Sequence, residues 1–212
     1  MINTNALSVK KIVEEEAGFI RVKLEWGSEE LDIANVYAPA KPAGRLEYYN
    51  TLRARLDKTT IVGGDWNTVG DKTLDVRSRD PLAYPNIGSS LLGQVMGDLG
   101  LVDERREQLG QEREYTRTGP SAGGGERTTS TRLDRLYVSA EKDWQWTFDV
   151  SSGFNNTPEG SDHPPVWIQI DKNTGELGKD RQSVHLRLFE EEYIQHTIIQ
   201  MKTEETAAQK KA

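Results

Sequence analysis

Ile61-Val62-Gly63-Gly64-Asp65-Trp66-Asn67 runs two β-branched apolar residues into two glycines, then an acid, an aromatic residue and an amide. This pattern predicts a buried strand ending in a tight turn that presents polar side chains. Glycine there admits a close approach of backbone or ligand because it has no Cβ. Asp65 and Asn67, two apart at a strand end, point to the same side. The same residues also read as a glycine turn with Asx capping, so the stretch alone leaves both readings open.

The chain on either side decides the fold class. Phe19 to Trp26 alternates apolar and charged residues, which puts Ile20, Val22, Leu24 and Trp26 on one face of a half-exposed strand. Leu31 to Tyr37 is a second strand, and a Gly27-Ser28 turn joins the two as a hairpin that Pro39 and Pro42 stop. Leu46, Tyr49, Leu52 and Leu56 recur at helical spacing, so a helix carries the chain to the Ile61 strand. Strand, helix, strand is an α/β crossover. Ahead of Phe19, the run Glu14, Glu15, Glu16 shows no strand of its own.

Downstream, Thr68 to Asn86 is long, charged and irregular, which predicts a functional loop or a mobile one. A helix follows from Ser89 to Leu99, stopped by Gly100. Strands at Glu114–Thr116 and Thr131–Val138 flank a glycine- and serine-rich connection, Gly119 to Ser130, expected to be flexible. Two more strands are expected at Trp146–Val150 and Val166–Ile170. Leu186, Phe189, Tyr193, Thr197, Ile198 and Met201 then fall near helical spacing, predicting an amphipathic C-terminal helix that frays after Glu204. The expected organisation is one α/β domain over 1–171, a polar linker over 172–185, and a helix with its tail over 186–212.

Composition narrows the function classes. No apolar run approaches the ~20 residues that cross a bilayer, the mean hydropathy is -0.70, and no membrane partner is expected. The absence of cysteine removes disulfides, thiolate metal sites and cysteine nucleophiles, and fits a reducing compartment. Localisation stays open among intracellular compartments, the nucleus included, since no basic import cluster is present. A net charge of -7 argues against polyanion binding over the whole surface. Even the arginine-dense stretch from Arg105 to Arg135 is interleaved with acids, so no basic patch is read.

Four polar strand ends remain to be explained together: Tyr37, Asp65 with Asn67, Asp134, and Asp162 with His163. One sheet sandwich could bring them to a common edge. Taken singly, Tyr37 also reads as an interfacial strand tyrosine, Asp134 as a surface acid and His163 as a loop histidine held by local hydrogen bonds.

The segments Asn35-Val36-Tyr37-Ala38-Pro39, Gly64-Asp65-Trp66-Asn67, Arg132-Leu133-Asp134-Arg135-Leu136-Tyr137-Val138-Ser139 and Gly160-Ser161-Asp162-His163-Pro164 resemble the endonuclease/exonuclease/phosphatase superfamily, also called DNase-I-like. The first and third look most like its non-LTR retrotransposon branch. The resemblance implies a two-sheet sandwich flanked by helices in a four-layer fold, and metal-dependent hydrolysis of a phosphodiester, with DNA as substrate. It implies that Asp65 orients or deprotonates the water, and that Asn67 and Tyr37 hold phosphate oxygens. His163 would hydrogen-bond the phosphate with its charge set by Asp134, and Asp162 would contribute to a Mg²⁺ site that also accepts Mn²⁺. The tail is similar to the connection that such polyproteins make towards a reverse transcriptase.

The family's N-terminal asparagine strand and Gln-Glu-Thr segment, whose glutamate is the principal metal ligand, have no counterpart. The expectation is therefore a chain that begins partway through the N-terminal half of the fold. Two other readings stay open. One is a catalytically inert remnant that binds nucleic acid or a protein partner, and the other is a scaffold turned to phosphoinositide or sphingolipid head groups.

Overall fold

The Ile61 strand lies inside a six-stranded sheet, as its unbroken run of buried residues requires. The computed structural model describes residues 8–26, 28–120, 128–141, 146–152, 161–172 and 183–188. In this sheet β1 (Ser8–Glu16), β2 (Phe19–Trp26) and β3 (Glu29–Tyr37) form an antiparallel meander. Helix α1 (Pro42–Arg55) then crosses over to β4 (Thr60–Asp65), which runs parallel to β3. The far side of β4 is completed by β9 (Asp134–Ser139) and β6 (Leu101–Asp103), giving the order β1-β2-β3-β4-β9-β6. A second sheet holds β10 (Trp146–Ser152), β11 (Val166–Lys172) and β12 (Ser183–Leu188), all antiparallel.

Side-chain alternation in the central strands builds two cores. One face sends Leu31, Ile33, Ile61, Leu136 and Val138 against Val166, Ile168 and Ile170 of β11, which glues sheet to sheet. The other face sends Ala34, Val36, Val62 and Tyr137 against Tyr49 and Leu52 of α1 and against Leu92, Val95 and Met96 of α3 (Ser89–Asp98). Each such aliphatic side chain, fully buried, contributes about 1.5–3 kcal/mol. The hairpin, the crossover helix, the α3 helix and the β11 strand are where the sequence predicts them, within a two-sheet sandwich that has helices on the outer face of its larger sheet.

Several segments differ from expectation. Glu14 to Glu16 do belong to a strand, β1, which pairs antiparallel with β2 and is edged by ion pairs. Arg55 of α1 pairs with Glu14 and Glu16, and Lys10 pairs with Glu25 and Glu30. The expected strand Glu114–Thr116 is not a strand, since β7 (Arg117–Pro120) begins one residue later and takes Gly119 and Pro120 out of the expected flexible connection. The expected strand Thr131–Val138 is two strands: β8 (Thr128–Thr131) leaves for a small sheet with β7 and β5 (Val76–Arg77), and only β9 stays in the large sheet.

The stretch Thr68–Asn86, expected to be either functional or mobile, is ordered around the buried Asp75 carboxylate and the half-buried Asn86 amide, and its Tyr84 and Pro85 reach the cavity described below. Asp75, on the short helix α2 (Lys72–Asp75), accepts from the Gly70 and Asp71 amides at 3.0 and 2.9 Å and from Arg132 Nε at 2.8 Å. Arg132 in turn reaches Asp103, while Asn86 fastens Thr68 and Val69. The last difference is at the end. Residues 183–188 are a strand on β11 rather than linker and helix start, so Leu186 does not open a helix. The remainder of the expected helix, 189–212, lies outside the described residues, as does the Gly-rich segment 121–127.

Candidate active site

Tyr37, Asp65 and Asp134 end three neighbouring strands in one transverse row. Tyr37 is opposite Asp65 in the parallel β3–β4 ladder, and Asp65 is opposite Asp134 in the antiparallel β4–β9 ladder. Strand period two puts this row on the same face as Ile33, Ile61 and Leu136, so it continues the intersheet core at its polar end. One step inward lies Asn35, whose two side-chain amide atoms are buried without a partner among the described residues.

The turn after β4 requires its glycine. Gly64 has φ 142°, and a Cβ there would sit 1.9 Å from the Val36 carbonyl oxygen. Beyond it Trp66 is fully buried, donates from Nε1 to the Arg135 carbonyl at 3.0 Å and packs edge-on against Tyr137. This anchor fixes the reversal at Asn67, which takes φ 48°. The Asn67 amide donates to Asp65 Oδ1 at 2.8 Å and its Nδ2 to the Ala38 carbonyl at 2.7 Å. The Asx-type turn and the cavity wall are here the same residues.

The second sheet delivers His163. The Ser161 hydroxyl closes a small turn onto the His163 backbone, and the Asp162 carbonyl accepts from the Thr118 amide of β7 at 3.1 Å. His163 Nδ1 then lies 2.8 Å from Asp134 Oδ2. Asp134 is itself positioned by Thr116, whose Oγ1 accepts from the Leu133 and Asp134 amides at 3.0 and 2.9 Å. The histidine, which lines the cavity, is thus tied to the carboxylate of the facing sheet, with Nε2 3.8 Å from Asp162 Oδ1.

Electrostatics sort the two aspartates. Burial, and next the neighbouring Asp134 carboxylate, push the Asp65 carboxyl up to about 7. Burial alone would lower His163, but the hydrogen bond and charge of Asp134 outweigh it and lift the imidazole to about 9. Near neutrality the arrangement is an imidazolium held by Asp134 beside a carboxyl group poised to gain or lose its proton. Such a pair suits general acid–base work.

Five of the six predicted residues, Tyr37, Asp65, Asn67, Asp162 and His163, line one cavity of about 640 Å³, and Asp134 stands directly behind His163. The space is of small-ligand size. Three polar lining residues were not singled out in the sequence: Arg45, Tyr84 and Arg117. Arg45 sits among the apolar positions that mark α1, and Arg117 directly follows the expected strand Glu114–Thr116. Proximity to those patterns was the only available signal.

The residues present do not fit the metal site that the sequence leads one to expect. No three of His, Cys, Asp and Glu stand together as a ligand set among the described residues. Asp162 Oδ2 pairs with Arg117 Nη2 at 2.7 Å, Asp134 is committed to His163, and Glu14 and Glu16 serve Arg55. A hard divalent cation needs several free oxygen donors.

Solved structures share this fold at low sequence identity. The endonuclease domain of TRAS1, a telomere-specific non-LTR retrotransposon, is 17% identical with a TM-score of 0.50, over 75% of this chain and 65% of its own. The 3'-5' exonuclease NExo from Neisseria meningitidis is 18% identical with a TM-score of 0.50, over 70% of this chain and 63% of its own. TDP2 of D. rerio, in complex with a single-strand DNA product, is 17% identical with a TM-score of 0.51, over 81% and 70%. The chain spans less than two thirds of the length of the first two. No protein-family sequence model matches the chain, and no curated protein sequence does.

Proposed function

We propose, from the DNase-I-like fold of the endonuclease/exonuclease/phosphatase superfamily that this chain carries, that it hydrolyses phosphodiester bonds in DNA. The observation that supports this reading most is that Asp65 and His163 line one cavity, with Asp134 bonded to His163 from behind. In-line attack on a phosphodiester needs a deprotonated water, donors for the growing negative charge and protonation or stabilisation of the leaving oxygen. Asp65, once ionised, takes the proton of the attacking water. His163, its imidazolium charge held by Asp134, hydrogen-bonds the phosphate from Nε2 and gives that proton to the leaving oxygen as the bond breaks. Tyr37 and Asn67 flank the phosphate, the amide of Asn67 pinned by its bond to Ala38.

The finer reading is an endonuclease derived from a non-LTR retrotransposon. It is supported by the strand motifs Asn35–Pro39 and Leu133–Ser139 and by the likeness to the TRAS1 domain. Mg²⁺ and Mn²⁺ enter as additions to be tested, because Asp162 is engaged by Arg117. The poor metal-donor set favours the second reading, a domain that binds nucleic acid without cutting it.

Nicking of supercoiled plasmid separates the two. Wild type and His163→Ala are incubated with EDTA, Mg²⁺ or Mn²⁺, with folding of each checked by circular dichroism. The hydrolase reading predicts nicking by wild type that falls at least a hundredfold in His163→Ala. Folded wild type that retards DNA and never nicks it supports the binding module instead.

A further inference from the structure

Two guanidinium groups line the cavity from different elements, and neither has a role in the chemistry above. Arg45, on α1, is 5% exposed, and no carboxylate pairs with it among the described residues. One Nη donates to the Asn67 carbonyl, and Nε has no partner there. A buried cation without a counter-ion is costly unless an anion completes it. Arg117 enters from β7, a third exposed, with Nη2 2.7 Å from Asp162 Oδ2. The pair lies against Gly119, where a Cβ would come to 3.0 Å from Arg117 Nη2 and 3.3 Å from Asp162 Oδ2.

We propose that Arg45 and Arg117 form the phosphate-binding pair of this site, and that Arg117 takes the place beside Asp162 that a divalent cation would otherwise take. The inference rests on the reading of the cavity as a phosphodiester site and adds that its affinity for the substrate needs no metal. Guanidinium suits the task, since its planar fork meets phosphate oxygens two at a time and stays charged at any working pH. Arg45 supplies a charge already desolvated and aimed by its bond to Asn67. Arg117 supplies one that Asp162 holds ready and releases when a phosphate arrives. Asp162 is then a competitor of the substrate rather than a ligand that helps bind it.

That competition gives opposite signs to two variants. A fluorescein-labelled DNA oligonucleotide is titrated with the full chain at low salt, read by anisotropy, in EDTA and in Mg²⁺. The inference predicts binding in EDTA that Mg²⁺ does not strengthen. Arg117→Met weakens it at least tenfold, Arg117→Lys recovers part of the loss, and Asp162→Asn tightens it severalfold by freeing Arg117. Thermal melting of each variant shows that the fold is kept. Binding that appears only with Mg²⁺ and is abolished in Asp162→Asn overturns the inference while leaving the phosphodiester reading intact. Absence of DNA binding in every buffer overturns both.

Discussion

Asp65 and Asp134 face each other across the β4–β9 ladder, two acids in register at the end of an otherwise apolar row. Opposed like charges at such a position destabilise a sheet. Here His163 resolves the conflict by binding one of them, Asp134, through Nδ1. Asp65 is left as the acid whose proton depends on pH. The two aspartates thus differ in partner: Asp134 is bonded to His163, and Asp65 to the backbone amide of Asn67.

Asp65→Asn is predicted to stabilise the protein. The folded state raises the Asp65 pKa from 3.8 to about 7. The fold therefore prefers the protonated form, and wild-type stability from this group is full below pH 4 and is lost as pH rises towards 7. Urea denaturation at pH 5 and pH 8 should show the variant more stable than wild type, with the larger gap, on the order of 1–4 kcal/mol, at pH 8. Equal midpoints at pH 8 would contradict the strained carboxyl.

Hydrolysis should follow a bell-shaped pH profile. Its acid limb near 7 reports ionisation of Asp65, and its basic limb near 9 reports loss of the His163 proton. His163 has a raised folded pKa, so its contribution to stability is complete below about 6.5 and disappears as pH passes 9. Asp134→Asn removes the group that raises it, and its basic limb should move down towards 6.5. A basic limb unmoved in Asp134→Asn would show that His163 is not the titrating acid.

Asp75→Ala should be severely destabilising although the residue does not line the cavity. Arg132 is almost wholly buried between Asp75 and Asp103, and Arg106 also reaches Asp75. Removing one partner of such a buried pair costs about 3–5 kcal/mol. The amides of Gly70 and Asp71 lose their acceptor as well. Urea denaturation should show a loss of that size, and proteolysis should begin within 68–86. A loss under about 1 kcal/mol would show that the loop is held by other contacts.

The parts of this fold that alternate or repeat in apolar residues were legible in the sequence: the β2–β3 hairpin, α1, β4, α3 and β11. The parts held by charge were not. Strand β1 is rich in charged residues, with Glu14 on Arg55 and Lys10 on Glu25, and α4 (Glu104–Leu109) is a short helix with an Asp103 cap and no apolar stripe, so neither gives a periodic signal. The turn from β8 to β9 hides in a continuous run, Thr131 to Val138, because the chain changes sheets at Arg132 and Leu133 without a glycine or proline. At the site, the acids, the amide and the histidine stand in short local motifs and could be seen. Arg45 and Arg117 meet them only through the fold, from a helix whose apolar face drew the reading and from a strand in another sheet.

The most direct test of the account is a double-mutant cycle on DNA cleavage, with Asp65→Ala, His163→Ala and the pair measured on one labelled duplex under single-turnover conditions. If the two sheet ends form a single catalytic unit, the double variant is no slower than the worse single variant, because each loss already disables the same step. Losses that multiply would contradict it, and would mean that Asp65 and His163 act on separate events.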